Sequence, residues 1–276
     1  MSRLLFANAA RLKRYRVLWG CAAVMLSFAL MRISMQYREH VKFGFETNLD
    51  QLMFGYTFLI GILLAVFCSL FFGTEYSDGT IRNKLIIGYS RSEIYFTNLI
   101  TSISVSFLLC LVYLAAAAAI GIPLFGAAEA GVGTILKLVF GTLVLSVTFC
   151  SLFTMLSMVC GNKTAVAVIS ILLVVVLFLA AAYLNSMLDA PEFLTGYEMD
   201  AAGNLVESKP IPNPNYLTGT KRVIYEFLYD FLPSGQAAQY MMMAVKHFWK
   251  LQLYGVLITA VSTGAGVFFF ERKDIK

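Results

Sequence analysis

Charge is scarce in this chain. Only 13% of its 276 residues are Asp, Glu, Lys or Arg, about half the share of a soluble domain. Apolar residues make up 59%, and the mean hydropathy is +0.76. A chain this short cannot hide so much apolar surface in a water-facing globule, so apolar side chains must face lipid. Histidine is limited to His40 and His247, and no HExxH sequence occurs, so metal-assisted hydrolysis lacks its ligands. The G-x-x-x-x-G-K-[ST] phosphate loop is missing; Gly161-Asn162-Lys163-Thr164 resembles only its tail, in a short turn. No catalytic, metal or cofactor residues are therefore assigned. The five cysteines, Cys21, Cys68, Cys110, Cys150 and Cys160, lie in or beside apolar runs and form no CxxC pair. They read as small structural hydrophobes. No A-x-A site follows the first apolar run, so it reads as an uncleaved span rather than a signal peptide.

What is abundant is long uncharged sequence. A helix needs about 20 apolar residues to cross the hydrocarbon core. Six stretches qualify, near 17–35, 52–72, 94–122, 138–160, 164–184 and 251–270. They are too long and too uniformly apolar for barrel strands, and only helices satisfy their own backbone in lipid. The expected fold is an all-α polytopic membrane protein, one permease-sized domain over 1–276. Arg32 is expected to snorkel from the outer end of the first span. Gly121 and Pro123 are expected to close the third. Ala115, Ala119 and Gly264 are small-residue candidates for helix contacts.

The net charge of +5 does not argue for nucleic acid; its distribution is more useful. Segments 1–16, 73–93, 161–163 and 271–276 carry 12 basic residues against 5 acidic ones. The positive-inside rule then places both termini in the cytoplasm. On the outer side this leaves a long segment, 185–250. Tyr197–Asp200 and Leu205–Lys209 flank Ala201-Ala202-Gly203-Asn204 as a possible hairpin. Pro210, Pro212 and Pro214 suggest an extended strut. Val223, Ile224, Phe227, Leu228, Phe231 and Leu232 line one helix face, stopped by Pro233. Ser234 could cap a second helix, in which Tyr240, Met241, Ala244, Val245, Phe248 and Trp249 repeat the spacing. Two dispositions stay open: helices re-entering the membrane as a plug, or lying flat on the outer leaflet.

The one sizeable inner loop, Gly73–Glu93, reads as a short surface helix in an elbow. Asp78 and Arg82 are spaced for an i, i+4 pair. Ile81 and Leu85, extended by Ile86, are expected to give an apolar side, while Arg82, Asn83 and Lys84 are expected to face water or a partner. Gly88 ends the helix, and Ser90-Arg91-Ser92-Glu93 forms a capping box for the third span. Two capping signals and a mixed-charge face suggest a docking element rather than a slack connector.

This stretch resembles the signature of ABC-2-type transporter permeases: Glu75, Gly79-Thr80, Arg82, Lys84-Leu85, then Ser90-Arg91 with Tyr95. Leu232-Pro233-Ser234-Gly235-Gln236 and the aromatic, charged ending Phe268–Ile275 are similar to the family as well. The chain departs from it at Gly88-Tyr89, where many members have Pro, and at Asn98, where many have Lys. The resemblance implies the transmembrane subunit of a bacterial exporter in the plasma membrane. Its partners would be a cytosolic ABC ATPase, which binds the ATP, and a second permease copy, identical or related. The loop helix would be a coupling helix docking on that ATPase. Glu75, Asp78, Gly79, Thr80, Arg82, Asn83 and Lys84 would be ATPase contacts or their support, with Arg82 and Lys84 facing acidic groups and Gly79 allowing close approach. Hydrophobic or amphipathic cargo is implied: peptide, lantibiotic, drug or lipid. The alternatives are an ATP-independent secondary transporter, which would need ionisable residues within its spans, an integral membrane enzyme, which would need a cluster of polar residues at one interface, and a receptor or regulator using the outer segment.

Overall fold

A computed structural model describes residues 1–44, 48–199, 205–207 and 209–274. The chain is almost wholly helical. Its elements are α1 (Ser2–Arg14), α2 (Arg16–Phe43), α3 (Asp50–Met53), α4 (Tyr56–Ser77), α5 (Thr80–Ile86), α6 (Arg91–Phe125), α7 (Val132–Cys160) and α8 (Lys163–Leu188). Four short strands follow: β1 (Phe193–Leu194), β2 (Tyr197–Met199), β3 (Leu205–Glu207) and β4 (Ile211–Pro212). Helices α9 (Gly219–Phe231), α10 (Pro233–Met241) and α11 (Phe248–Arg272) complete the chain. Six helices, α2, α4, α6, α7, α8 and α11, are long and apolar enough to span a membrane. The six expected spans are all present, most of them longer than hydropathy alone suggests. Pro123 lies inside α6, which ends only at Gly126.

α4 is the central helix. It packs against α2, α6, α7, α8 and α10, and Phe67, Phe71 and Phe72 on it are fully buried. α11 lies along α7, and α2 along α6. Apolar burial gains little when the solvent is itself hydrocarbon, so close approach and hydroxyl bonds hold such helices together. Ser262 on α11 donates to Ser151 on α7 at 2.8 Å, and the Thr148 hydroxyl donates to the Gly255 carbonyl at 3.1 Å. Tyr56 and Thr142 share a hydrogen bond at 2.5 Å, and Ser102 and Thr154 another at 3.1 Å. Gly266 sits under Tyr95 so closely that an added Cβ would lie 2.2 Å from the hydroxyl. The expected small-residue contacts are displaced in register. Ala115, Ala119 and Gly264 are exposed, whereas Ala116, Ala117 and Gly266 are buried. Four of the cysteines are buried and Cys160 is exposed; none is in a disulfide.

The N-terminus and the end of α11 lie at the α5 end of the bundle. The N-terminal ammonium is 3.3 Å from Glu93, and Arg91 donates to the carbonyl of Phe270 at 2.8 Å. At the opposite end, β1 pairs antiparallel with β4, and β2 with β3, as two nested ladders. The prolines therefore form no free strut, because Pro212 is paired with Phe193. The expected turn at Ala201–Asn204 lies outside the described residues. The two amphipathic helices behave differently. α9 leaves Val223, Ile224 and Phe227 exposed. α10 is inserted among α4, α7 and α8, with Ser234, Gln236, Ala237 and Tyr240 buried. One helix thus leaves its apolar face uncovered, and the other is packed into the bundle. Ser234 does not cap α10; Pro233 occupies its first turn, and the Ser234 hydroxyl donates to the Leu177 carbonyl at 2.5 Å. The helix also stops at Met241, because Met243 has φ of 52°, and Phe248 and Trp249 belong to α11. Arg32 is half-buried inside α2, which runs on to Phe43, and it lines a cavity with Asp50 and Met241–Met243.

Candidate coupling site

The elbow between α4 and α6 is built from local signals. α4 runs past its last apolar residue to Ser77, and the Asp78 amide bonds to the Thr74 carbonyl at 2.9 Å. Gly79 then takes φ of 66°, a left-handed conformation that costs other residues strain. That reversal starts α5. At its far end Gly88 has φ of 101°, and the Tyr89 amide reaches back to the Lys84 carbonyl at 3.2 Å. This is the Schellman way of closing a helix. The capping box follows: the Glu93 amide donates to the Ser90 hydroxyl at 3.2 Å, and the Ser90 amide to Glu93 Oε2 at 3.1 Å.

Beneath the elbow, Glu75 is 1% exposed and gathers four elements. Its Oε1 accepts from Arg11 Nη1 of α1 at 2.8 Å and from Lys84 Nζ of α5 at 2.7 Å. Its Oε2 accepts from Asn98 Nδ2 of α6 at 3.1 Å. Arg11 also donates to the Phe71 carbonyl at 2.7 Å and to the Thr74 hydroxyl, and its guanidinium lies 4.0 Å above the Phe71 ring. Asn8 extends the network, donating to Asn98 Oδ1 at 3.1 Å and to Thr101 at 3.0 Å. A carboxylate buried this deeply is tolerated because two cations and an amide surround it.

A second junction ties the other helices to the same end. The Tyr76 hydroxyl donates to the Met158 carbonyl, as does Lys273 Nζ at 3.3 Å. The Lys273 ammonium also lies 4.2 Å from the Tyr76 ring centre. Burial lowers the Lys273 pKa from its ordinary value. Between α5, the α7–α8 turn and the end of α11 lies an open cleft of about 260 Å³, lined by Glu75, Tyr76, Ile81, Arg82, Asn162 and Lys273.

The seven residues expected at the site divide. Glu75 and Lys84 turn inward and pair with each other, so Lys84 is buried rather than facing water. Asp78, Arg82 and Asn83 are exposed, with Gly79 and Thr80 half-buried. Asp78 and Arg82 form no ion pair, because Asp78 precedes Gly79 and so lies outside α5; its carboxylate accepts from Ser77 instead, at 3.3 Å. Sequence reasoning missed Arg11, Asn8 and the role of Asn98. The available signal was the spacing Leu4, Asn8, Arg11, which puts a polar strip on the buried face of α1. Among the described residues no group of His, Cys, Asp and Glu is placed to hold a metal ion. The geometry offers mechanical connection: a short helix clamped to the ends of three others.

The family model described as ABC-2 family transporter protein matches residues 4–184. The chain belongs to the ABC-2 transporter family. The match takes in α1, the elbow and the Glu75 network, and it stops inside α8. No curated protein matches the permease. Members of this family are transmembrane components of ABC-type transport that usually lack an ATPase site of their own and normally work with an ATPase subunit. The permease is accordingly a multi-pass membrane protein of ABC-type transport.

Proposed function

We propose that the permease is the transmembrane subunit of an ATP-driven exporter in the cell membrane, with α5 as the element that docks on a separate cytosolic ATPase. The observation that carries this reading is the division of α5 into two faces. Ile81 and Lys84 fix it to the bundle, while Arg82, Asn83, Ile86 and Ile87 project from it. Two isoleucines, each 74% exposed beside a free-standing Arg, suit a protein groove better than water. Glu75 and Lys84 support the docking face without touching the partner. The N-terminus and the end of α11 share the α5 end, which loop charge assigns to the cytoplasm. A second permease copy, identical or related, completes the pathway.

The cargo is hydrophobic or amphipathic. An apolar groove of about 570 Å³ lies between α4, α8 and α10, lined by Phe58, Ile62, Val174, Phe178, Ala237 and Met241. Nothing ionised lines it, so it suits an acyl chain or an apolar peptide face.

The test is co-purification of the ATPase with Arg82→Glu permease. Charge reversal on the projecting face should reduce recovery of the ATPase by tenfold or about 1.4 kcal/mol, with the permease itself still folded. Full recovery with undiminished export would remove α5 from the interface.

A further inference from the structure

We propose that the elbow between α1 and α2 binds the headgroup of an anionic phospholipid. Lys13, Arg14 and Arg16 are exposed there, and Arg3 is exposed near the start of α1. Among the described residues none of the four is in an ion pair. Two acids on the neighbouring helices are engaged elsewhere, Glu93 by the N-terminal ammonium at 3.3 Å and Glu75 by Arg11 and Lys84, while Asp78 at the end of α4 accepts from Ser77. Helical period puts Arg3 and Arg14 on one face and Phe6 and Lys13 on one face beside it. Ala9 and Ala10 lie between them, and their small side chains leave a shallow groove walled by Phe6, Lys13 and Arg14.

Two aromatic rings decide the class of partner. Phe6 is 77% exposed and Trp19 is 58% exposed. The Trp19 indole N–H donates to the Lys13 carbonyl at 3.0 Å, which holds the ring over the elbow. Exposed Leu26 and Leu30 continue from it along the same face of α2. Cations, then aromatic rings, then bare aliphatic surface is the order of a membrane boundary. An acidic protein patch would satisfy the cations and leave the rings and aliphatic surface uncovered. A phosphodiester lipid satisfies all three, its phosphate on the cations and its chains on Trp19 and α2. A headgroup without an amine is favoured, because a zwitterionic one brings its own cation to a site that has three. This site does not depend on the ATPase reading, since none of these residues belongs to α5.

The test uses the full chain carrying Trp249→Phe, which leaves Trp19 as the sole indole, in vesicles of mixed phosphatidylglycerol and phosphatidylcholine. Either lipid is brominated near the headgroup end of its chains, at equal mole fraction. Brominated phosphatidylglycerol should quench Trp19 more strongly. Arg14→Gln with Arg16→Gln should abolish the difference, and Arg14→Glu with Arg16→Glu should reverse it. Each charge removed should lower local enrichment of the anionic lipid by up to roughly fivefold. Lys250→Gln, at the other end of the bundle, should leave the difference intact. Unchanged gel-filtration elution and circular dichroism show that the variants are folded. Equal quenching by the two lipids in the parent would overturn the proposal. So would shielding of Trp19 from both lipids on addition of the ATPase, which would assign the elbow to a protein partner.

Discussion

Glu75 carries one charge and is claimed by two cations, and this surplus ranks the substitutions around it. Glu75→Ala leaves Arg11 and Lys84 together without an anion. Loss of one partner from a buried pair costs roughly 3–5 kcal/mol, so this variant should melt well below the parent in detergent. Lys84→Met leaves the Arg11–Glu75 bond at 2.8 Å in place and keeps the methylene packing, so its loss should be the smaller. Gel filtration after a temperature series measures both, and the reverse ranking would contradict the shared-carboxylate account. The pair was not legible in the sequence. Helical spacing relates Asp78 to Arg82, and it fails because Gly79 interrupts the helix between them. Glu75 and Lys84 meet across that interruption, where no period applies. The capping box was legible, since its partners are separated only by their own turn.

Elements differ in how they are seated, and α10 is the most constrained. A Cβ on Gly235 would lie 2.0 Å from the Tyr229 carbonyl oxygen, which is backbone and cannot swing aside. Gly235→Ala should therefore unseat the joint between α9 and α10 and reduce the folded fraction on gel filtration. Gly264→Ala, with nothing within 4 Å, should leave the elution profile unchanged. Equal profiles for the two variants would show that the joint is not fixed by this contact. The amphipathic period marked both outer helices, and it found α9 nearly to its ends. It ran through the end of α10 because Phe248 and Trp249 continue the apolar rhythm after the break. The break itself is the left-handed Met243, a conformation that hydropathy does not register. Nor does amphipathicity say whether an apolar face meets lipid or protein, which is why α9 and α10 part company.

At the scale of the whole molecule, six spans return the C-terminus to the side of the N-terminus. In a cysteine-free background, Ile87→Cys should react with a membrane-impermeant thiol reagent only from the cytoplasm, and Thr220→Cys only from outside. Labelling of both from one side would break the six-span arrangement. Span number was legible because length and apolarity fix it. The packing faces were not, because lipid and bundle interior are equally apolar; hence Ala115 and Ala119 face outward while Ala116 and Ala117 face in. The Glu75 network is redundant in its cations. If α5 swings away with Lys84, Arg11 still neutralises the carboxylate; if α1 withdraws, Lys84 does. Either tether could be slipped without leaving the buried carboxylate bare, whereas loss of both would strand it.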